Sequence, residues 1–370
     1  MKILIAPDKF KSTFSAQQVA NAVEAVIKTQ YTQIETVKLP LADGGEGTSE
    51  ILAVFVNAKP VTLKVHNPIF KLIDASYYYS EKNKIAIIDM SAASGLHLLK
   101  PEEQNPLHTS TYGTGELICH AVEKGVKTIY IALGGSATND AGCGAAEALG
   151  FQFCDKTGKL IRNITGKNLI EISKIDTENV KINFDNLNFI SLYDVKNNLH
   201  GENGASYIYA GQKGANPKEI KLLDDGLRNF ATGVHKQFNI DLNNCYGYGA
   251  AGGFGAGSKV FFNSELKSGA ETMIQLSGFN KLIKDIDLII TGEGKFDAQS
   301  FEGKLTGTII NKAEKNNIPV AVICGLSDIK SQNSYYKIYP LFNKFSGTDN
   351  IKQLSLKRIE EIIPAIIKQT

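Results

Sequence analysis

Three short segments gather glycines, carboxylates and hydroxyls in a pattern suited to phosphate and metal chemistry. They are Leu41-Ala42-Asp43-Gly44-Gly45-Glu46-Gly47-Thr48, Leu133-Gly134-Gly135-Ser136-Ala137-Thr138-Asn139-Asp140 and Thr291-Gly292-Glu293-Gly294-Lys295-Phe296-Asp297. Each follows an apolar, strand-like run. Glycine admits positive φ and lets backbone N–H groups approach a ligand closely. A carboxylate beside those donors repels a phosphate unless a divalent cation lies between them. A single Gly-Asp loop reads as a surface turn; three of this density in one chain point to phosphate groups together with a metal.

Other residues could extend that chemistry, each with a plainer alternative. The run Gly134–Asp140 precedes a short helical pattern, so its N–H groups and the helix dipole favour an anion, with Ser136 and Thr138 as further donors. The alternative is an elaborate N-cap built on Asn139 or Asp140. In Asp8-Lys9-Phe10-Lys11-Ser12 the lysines suit a phosphate or carboxylate and Asp8 a metal, or the segment is a solvated turn. Asp194 with Asn197, after a buried strand, suits a general base or metal ligand, or a turn-forming pair. Lys295, Asp297, Gln299 and Lys304 cluster around the third segment, where lysines among carboxylates suit stabilisation of developing charge. His200 reads as structural. The phosphate loop GxxxxGK[ST] is absent. A GxGxxG match at Gly247–Gly252 follows Asp241–Cys245, which is not strand-like, so a dinucleotide fold is rejected. The glycine run Gly247–Gly257 suits close approach to an anion or to another backbone, or a flexible turn.

These loops need a scaffold, and the chain alternates apolar strand patterns with amphipathic helical ones, the signature of parallel α/β architecture. Strands are expected over Lys2–Pro7, Lys84–Asp89, Thr128–Leu133, Asn188–Leu192, Asp287–Ile290 and Val320–Cys324. Helices are expected over Ser15–Thr29 with a Ser15/Gln18 capping box, Thr114–Lys124, about Cys143–Leu149, and Ser355–Lys368 with Pro364 as a kink. Each loop sits at a strand's carboxyl end, where open α/β sheets bind ligands. Residues 151–186 read as a surface excursion.

At 370 residues the chain can hold two domains, and no linker divides it, which points to one domain inserted in the other. Its 43% hydrophobic and 21% charged residues describe a globular protein. No stretch matches a membrane span, and the start reads as a buried strand rather than a signal peptide. Five scattered cysteines without a CxxC pair indicate reduced thiols in the cytoplasm and argue against zinc. A net charge of +2 without a basic block argues against nucleic acid. Of 40 basic residues only Arg162, Arg228 and Arg358 are arginines, so lysines and a metal must supply the charge for any phosphate.

Taken together, the chain resembles the bacterial glycerate kinase family. The resemblance runs through Ala6–Ser12, Pro40–Thr48, Ser110–Ile118, Gly134–Asp140, Asp194–Gly201, Gln212–Ala215, Gly249–Gly255 and Thr291–Lys304. It departs at Asp89, Ser91, Asn198, Lys295 and Lys11-Ser12-Thr13. The lysine at 295 replaces a frequent arginine, keeping the charge while losing the fork.

The resemblance implies transfer of the ATP γ-phosphoryl group to a hydroxyl of D-glycerate, most commonly giving 2-phosphoglycerate, with Mg²⁺. It implies two α/β domains with the active site between them. One is flavodoxin/Rossmann-like with a parallel sheet, built from residues 1–70 and 285–370, and the second, 71–284, is inserted into it. On that basis Asp194 is the candidate base, and Lys9, Lys295 and Lys304 bind the substrate carboxylate or developing charge. Gly134, Gly135, Ser136, Thr138 and Asn139 hold nucleotide phosphates. Asp8, Lys11, Ser12, Asn197, Asp297 and Gln299 line the substrate. Asp43, Glu46 and Glu293 carry the metal. A kinase for another hydroxy or sugar acid, or a phosphometabolite-binding regulator, are the rival expectations.

Overall fold

The computed structural model describes residues 1–10, 13–45, 47–180, 182–243, 245–329, 335–344 and 350–369. Strands β1 (Lys2–Ile5) and β2 (Glu35–Lys38) open the chain. The middle carries β3 (Lys59–His66), β4 (Leu72–Ser80), β5 (Ile85–Asp89), β6 (Thr128–Ala132), β7 (Gln152–Cys154), β8 (Leu160–Ile161), β9 (Lys174–Asp176), β10 (Asn188–Tyr193) and β11 (Glu265–Ser268). It ends with β12 (Leu288–Phe296), β13 (Val320–Ser327) and β14 (Tyr336–Pro340).

Packing divides the chain into two compact units, Met1–Asp43 with Ala270–Thr370, and Gly44–Gly269. The first unit is built on a wholly parallel sheet ordered β14-β13-β12-β1-β2. Counted within the sheet, that order is the doubly wound 2-1-3-4-5, whose switch point lies between β1 and β12. Helix Ala16–Gln30 links β1 to β2. Ser15 caps it, its hydroxyl accepting from the Gln18 N–H at 3.2 Å while Gln18 Oε1 accepts from the Ser15 N–H at 2.9 Å. Its Val19, Val23 and Ile27 pack with Ile359 and Ile363 of helix Ile351–Lys368 over Ile3, Ile5, Leu288 and Ile290. Helix Leu305–Glu314 links β12 to β13 in the opposite direction along the sheet, so a right-handed crossover places it on the other face.

The second unit holds a sheet ordered β11-β10-β6-β5-β4-β3. Its strands are parallel from β11 to β5, with β4 and β3 added antiparallel. The boundaries expected at 70/71 and 284/285 fall instead at 43/44 and 269/270. Their displacement has a physical cause. Strand β3 pairs along its whole length with β4, which draws the segment after Gly44 into the second unit. At the other side Glu271 is held by Lys312 at 3.0 Å, within the first. Residues 151–186 are more than a surface excursion: β7 pairs with β8 and β9, and Phe153, Ile164, Leu169 and Ile175 enter the unit's core. No described helix is long and apolar enough to cross a membrane.

The chain enters and leaves the second unit at adjacent points. Gly44 has φ +108°, and a Cβ there would lie 2.9 Å from Gly269 Cα. Both conditions demand glycine.

Candidate active site

In the first unit the sheet's switch point gathers acids. The Asp8 N–H donates to Gly292 O at 2.9 Å and Thr291 Oγ1 donates to Ala6 O at 2.7 Å, which joins the end of β1 to β12. Gly292 is fixed by its neighbour, since a Cβ would fall 1.8 Å from Ile323 O of β13. Asp8 and Glu293 are only 7% and 8% exposed. Burial, then the charge of Asp43, pushes the Asp8 carboxyl well above its ordinary range, with Glu293 adding to the rise; the Lys9 N–H, donating at 2.6 Å, opposes it. Burial likewise raises Glu293, against the Ser300 hydroxyl and the Lys304 charge. The Thr306 hydroxyl also lowers the Glu293 carboxyl, yet among the described residues neither Glu293 Oε1 nor Thr306 Oγ1, both buried, makes a hydrogen bond of full geometry.

Asp8, Lys9, Asp43, Glu293 and Lys304 thus act on one another. Mutually repelling oxygen donors, one with a buried unpartnered oxygen, suit a hard divalent cation. Among the described residues no group of three or more His, Cys, Asp or Glu is placed to hold a metal ion. Magnesium, held by one or two carboxylates and keeping several waters, needs none. The other residues of the third segment turn elsewhere. Lys295 Nζ lies 2.7 Å from Asp328 Oδ2 and 3.7 Å from Asp297 Oδ2, and the Asp328 hydrogen bond raises its pKa. Asp297 caps the turn Ala298–Phe301, accepting from the Gln299 N–H at 3.0 Å, and the Gln299 side chain is exposed. Lys11, Ser12 and Glu46 lie outside the described residues.

In the second unit the glycine loop after β6 is held from all sides. Gly135 (φ +70°) accepts from the Leu96 N–H at 2.9 Å, and the Ala137 N–H donates to Ser94 O at 2.9 Å. Asp140 is fully buried and accepts from the Thr111 N–H and hydroxyl, both at 2.8 Å, and from the Gly142 and Gly144 N–H groups, both at 3.2 Å. It therefore occupies the start of helix Cys143–Ala148. This corrects the expectation that the helix dipole there receives an anion: a carboxylate of the chain already does. Instead, positive charge comes from Lys213, 5% exposed, whose Nζ donates to Ser136 Oγ at 2.9 Å and to Thr138 O at 2.8 Å. Thr138 Oγ1 and Asn139 Oδ1 are buried and unpartnered among the described residues.

The glycine run lies beneath this loop. Helix Ala250–Phe262 is broken by left-handed Ala251, Gly252 and Gly253. A Cβ on Gly252 would lie 2.0 Å from Thr138 O, and one on Gly257 1.8 Å from Ala141 O. Close approach to another backbone is what these glycines serve.

Beyond β10, Asp194 is half-buried and adds to the rise of the Tyr209 hydroxyl pKa to about 12, which burial chiefly causes. Asn197 is engaged at both ends, donating to Asn203 O at 3.3 Å and accepting from the Tyr209 hydroxyl. Lys213 is the functional candidate that motif reasoning did not single out. Its one signal was Gln212-Lys213-Gly214, which says nothing of burial.

Parallel-sheet units carrying acids and lysines at one set of strand ends, and a rigid donor loop at another, define an α/β enzyme of phosphoryl chemistry. Residues 3–369 match the glycerate kinase family. A glycerate kinase of Haemophilus influenzae is 38% identical over 95% of this chain and 94% of its own length. The glycerate 2-kinase of Escherichia coli is 40% identical over 88% of this chain and 85% of its own length. A crystal structure from Salmonella typhimurium LT2, assigned as glycerate kinase 2, superposes with TM-score 0.85 at 34% identity, covering 100% of this chain and 98% of that one. The chain belongs to the glycerate kinase family, enzymes that phosphorylate glycerate.

Proposed function

We propose that this chain is a cytoplasmic, ATP-dependent D-glycerate kinase that phosphorylates the 2-hydroxyl and releases 2-phosphoglycerate and ADP. The observation that carries the reading is a pair of polar atoms, buried and unpartnered among the described residues, in the family's own motifs: the Thr138 hydroxyl, a donor for phosphate, in the glycine loop, and Glu293 Oε1, a donor atom for a cation, in the third segment. Native proteins satisfy nearly all such atoms, so exceptions of this kind mark places completed by a ligand. The name of the Escherichia coli relative, a glycerate 2-kinase, supports the 2-position.

Phosphoryl transfer asks mainly for positioning and for neutralised charge. In this reading Gly134, Gly135, Ser136, Thr138 and Asn139 receive the nucleotide phosphates. Asp194 takes the proton from the attacking hydroxyl as its oxygen bonds to the γ-phosphorus and the bond to ADP breaks. Lys9 and Lys304 neutralise the substrate carboxylate or developing charge. Lys295 joins them after leaving Asp328, with Asp297, Gln299, Asp8, Lys11, Ser12 and Asn197 lining the acceptor. Asp43, Glu46 and Glu293 would hold Mg²⁺, which screens phosphate charge when bound.

The test is ADP release from Mg-ATP with D-glycerate, L-glycerate and other hydroxy acids, with the product's phosphate located by NMR. Turnover on D-glycerate with phosphate at position 2 supports the reading. Phosphate at position 3, or turnover on another acid alone, overturns it. Asp194→Asn is expected to lower kcat by ~100-fold or more with folding intact.

A further inference from the structure

We propose that Lys213 is the positioning residue of the nucleotide-phosphate loop, holding Ser136 and Thr138 in their receptive arrangement and giving the loop its positive charge; the ligand class rests on the kinase reading above. The ammonium is buried, and its two observed partners, Ser136 Oγ at 2.9 Å and Thr138 O at 2.8 Å, are both uncharged. Among the described residues no carboxylate lies within ion-pair distance of it. Asp140 is the acid whose charge bears on it, and that carboxylate already accepts from four donors. A buried cation without a paired anion is costly unless a ligand's charge completes it. Beside it the Thr138 hydroxyl, which can donate to a phosphate oxygen, is buried without a partner among the described residues.

The backbone delivers Lys213 rigidly. The π-helical turn Ser206–Ala210 runs directly into the turn Gly211–Lys213. Single-turn π segments concentrate at functional sites. Ser206 Oγ accepts from Asn139 Nδ2 at 3.1 Å, and Tyr209 donates to Asn197, so this segment braces both the loop after β6 and the chain after β10. Gly214 (φ +99°) then locks the exit, since a Cβ there would lie 2.0 Å from Gln104 O. Burial lowers the Lys213 pKa to about 8, with the Asp140 charge opposing. The loop's charge is therefore present below that pH and lost above it.

Calorimetry of the full chain with ATP, and with adenosine as the phosphate-free control, tests this. Wild-type ATP affinity is expected to fall as pH is raised from about 7 to about 9, with adenosine affinity flat. Lys213→Met is expected to weaken ATP roughly 10- to 100-fold, to flatten that pH profile and to raise the KM for Mg-ATP more than that for the acid substrate. A folded Lys213→Met protein with unchanged ATP affinity overturns the proposal, as does a pH-independent wild-type affinity. The wild-type profile decides alone if the variant does not fold. If ATP binding behaves as expected but no hydroxy acid is phosphorylated, the kinase reading fails while the role of Lys213 stands. If D-glycerate is phosphorylated while ATP binding is indifferent to Lys213, the kinase reading stands and the role of Lys213 fails.

Discussion

Asp8 is held against its own preference. Its carboxyl is buried beside Asp43 and Glu293, and without a bound cation that arrangement opposes folding at neutral pH. Asp8→Asn is therefore expected to raise the thermal midpoint, by ~2–4 °C for each kcal/mol relieved, while lowering turnover. The sign of the pH effect follows. With the folded pKa above the unfolded value, Asp8 and Glu293 favour the fold at acid pH, and that contribution is lost as pH rises through their folded pKa. Millimolar MgCl₂ at neutral pH is expected to restore it in the wild type and less in Asp8→Asn. Lys213 acts oppositely: its pKa is about 8 against an ordinary 10.5, so stability rises with pH across that window. Thermal melts at several pH values check both signs: the Lys213 contribution is lost in Lys213→Met, leaving the buried Cys119, Cys143 and Cys324 thiols, whose raised pKa values lower stability as pH climbs past 9. The acids were legible because glycine, carboxylate and hydroxyl in one loop form an unusual composition. Lys213 was not, since nothing local distinguishes a buried lysine from a solvated one. Lys295 was legible as a charge, while its pairing with Asp328 on the neighbouring strand's end was not.

At the scale of elements, packing decides which glycines matter. Gly252→Ala puts a Cβ 2.0 Å from Thr138 O and at a φ of +67°, so a loss of roughly 2–4 kcal/mol is expected in urea unfolding, with weakened ATP binding. Gly233, inside helix Pro217–Phe238, has open space where a methyl group would go, with nothing within 4 Å, and Gly233→Ala is expected to gain ~0.5–1 kcal/mol. Strands β1, β5, β6, β10, β12 and β13 could be read from continuous apolar runs, because buried parallel strands show them. The pair β3 and β4 could not, since their exposed residues include Lys59, Pro60, Lys64 and Asp74 and break up the apolar run. Missing them misplaced the unit boundary. The tasks of Gly252 and Gly257 were illegible for another reason: their partners at Thr138 and Ala141 are distant in sequence.

For the whole molecule, the adjacency of Gly44 and Gly269 makes the second unit a continuous segment whose ends meet. A chain limited to residues 44–269 is expected to fold cooperatively, as a single thermal transition with mixed α/β circular dichroism. An unstructured fragment would show that its core needs the first unit. The first unit has the contrary property, being assembled from both ends of the chain. Its β1 lies between β2 and β12, and about 250 residues separate β2 from β12. On a ribosome moving at 5–20 residues per second, that strand emerges roughly 12–50 s after β2. Throughout that interval the apolar edge of Ile3, Leu4 and Ile5 waits without its neighbour, while the later-encoded unit can already be complete. Translation speed and holding chaperones, acting while β1 waits for β12, thus bear directly on the yield of this enzyme.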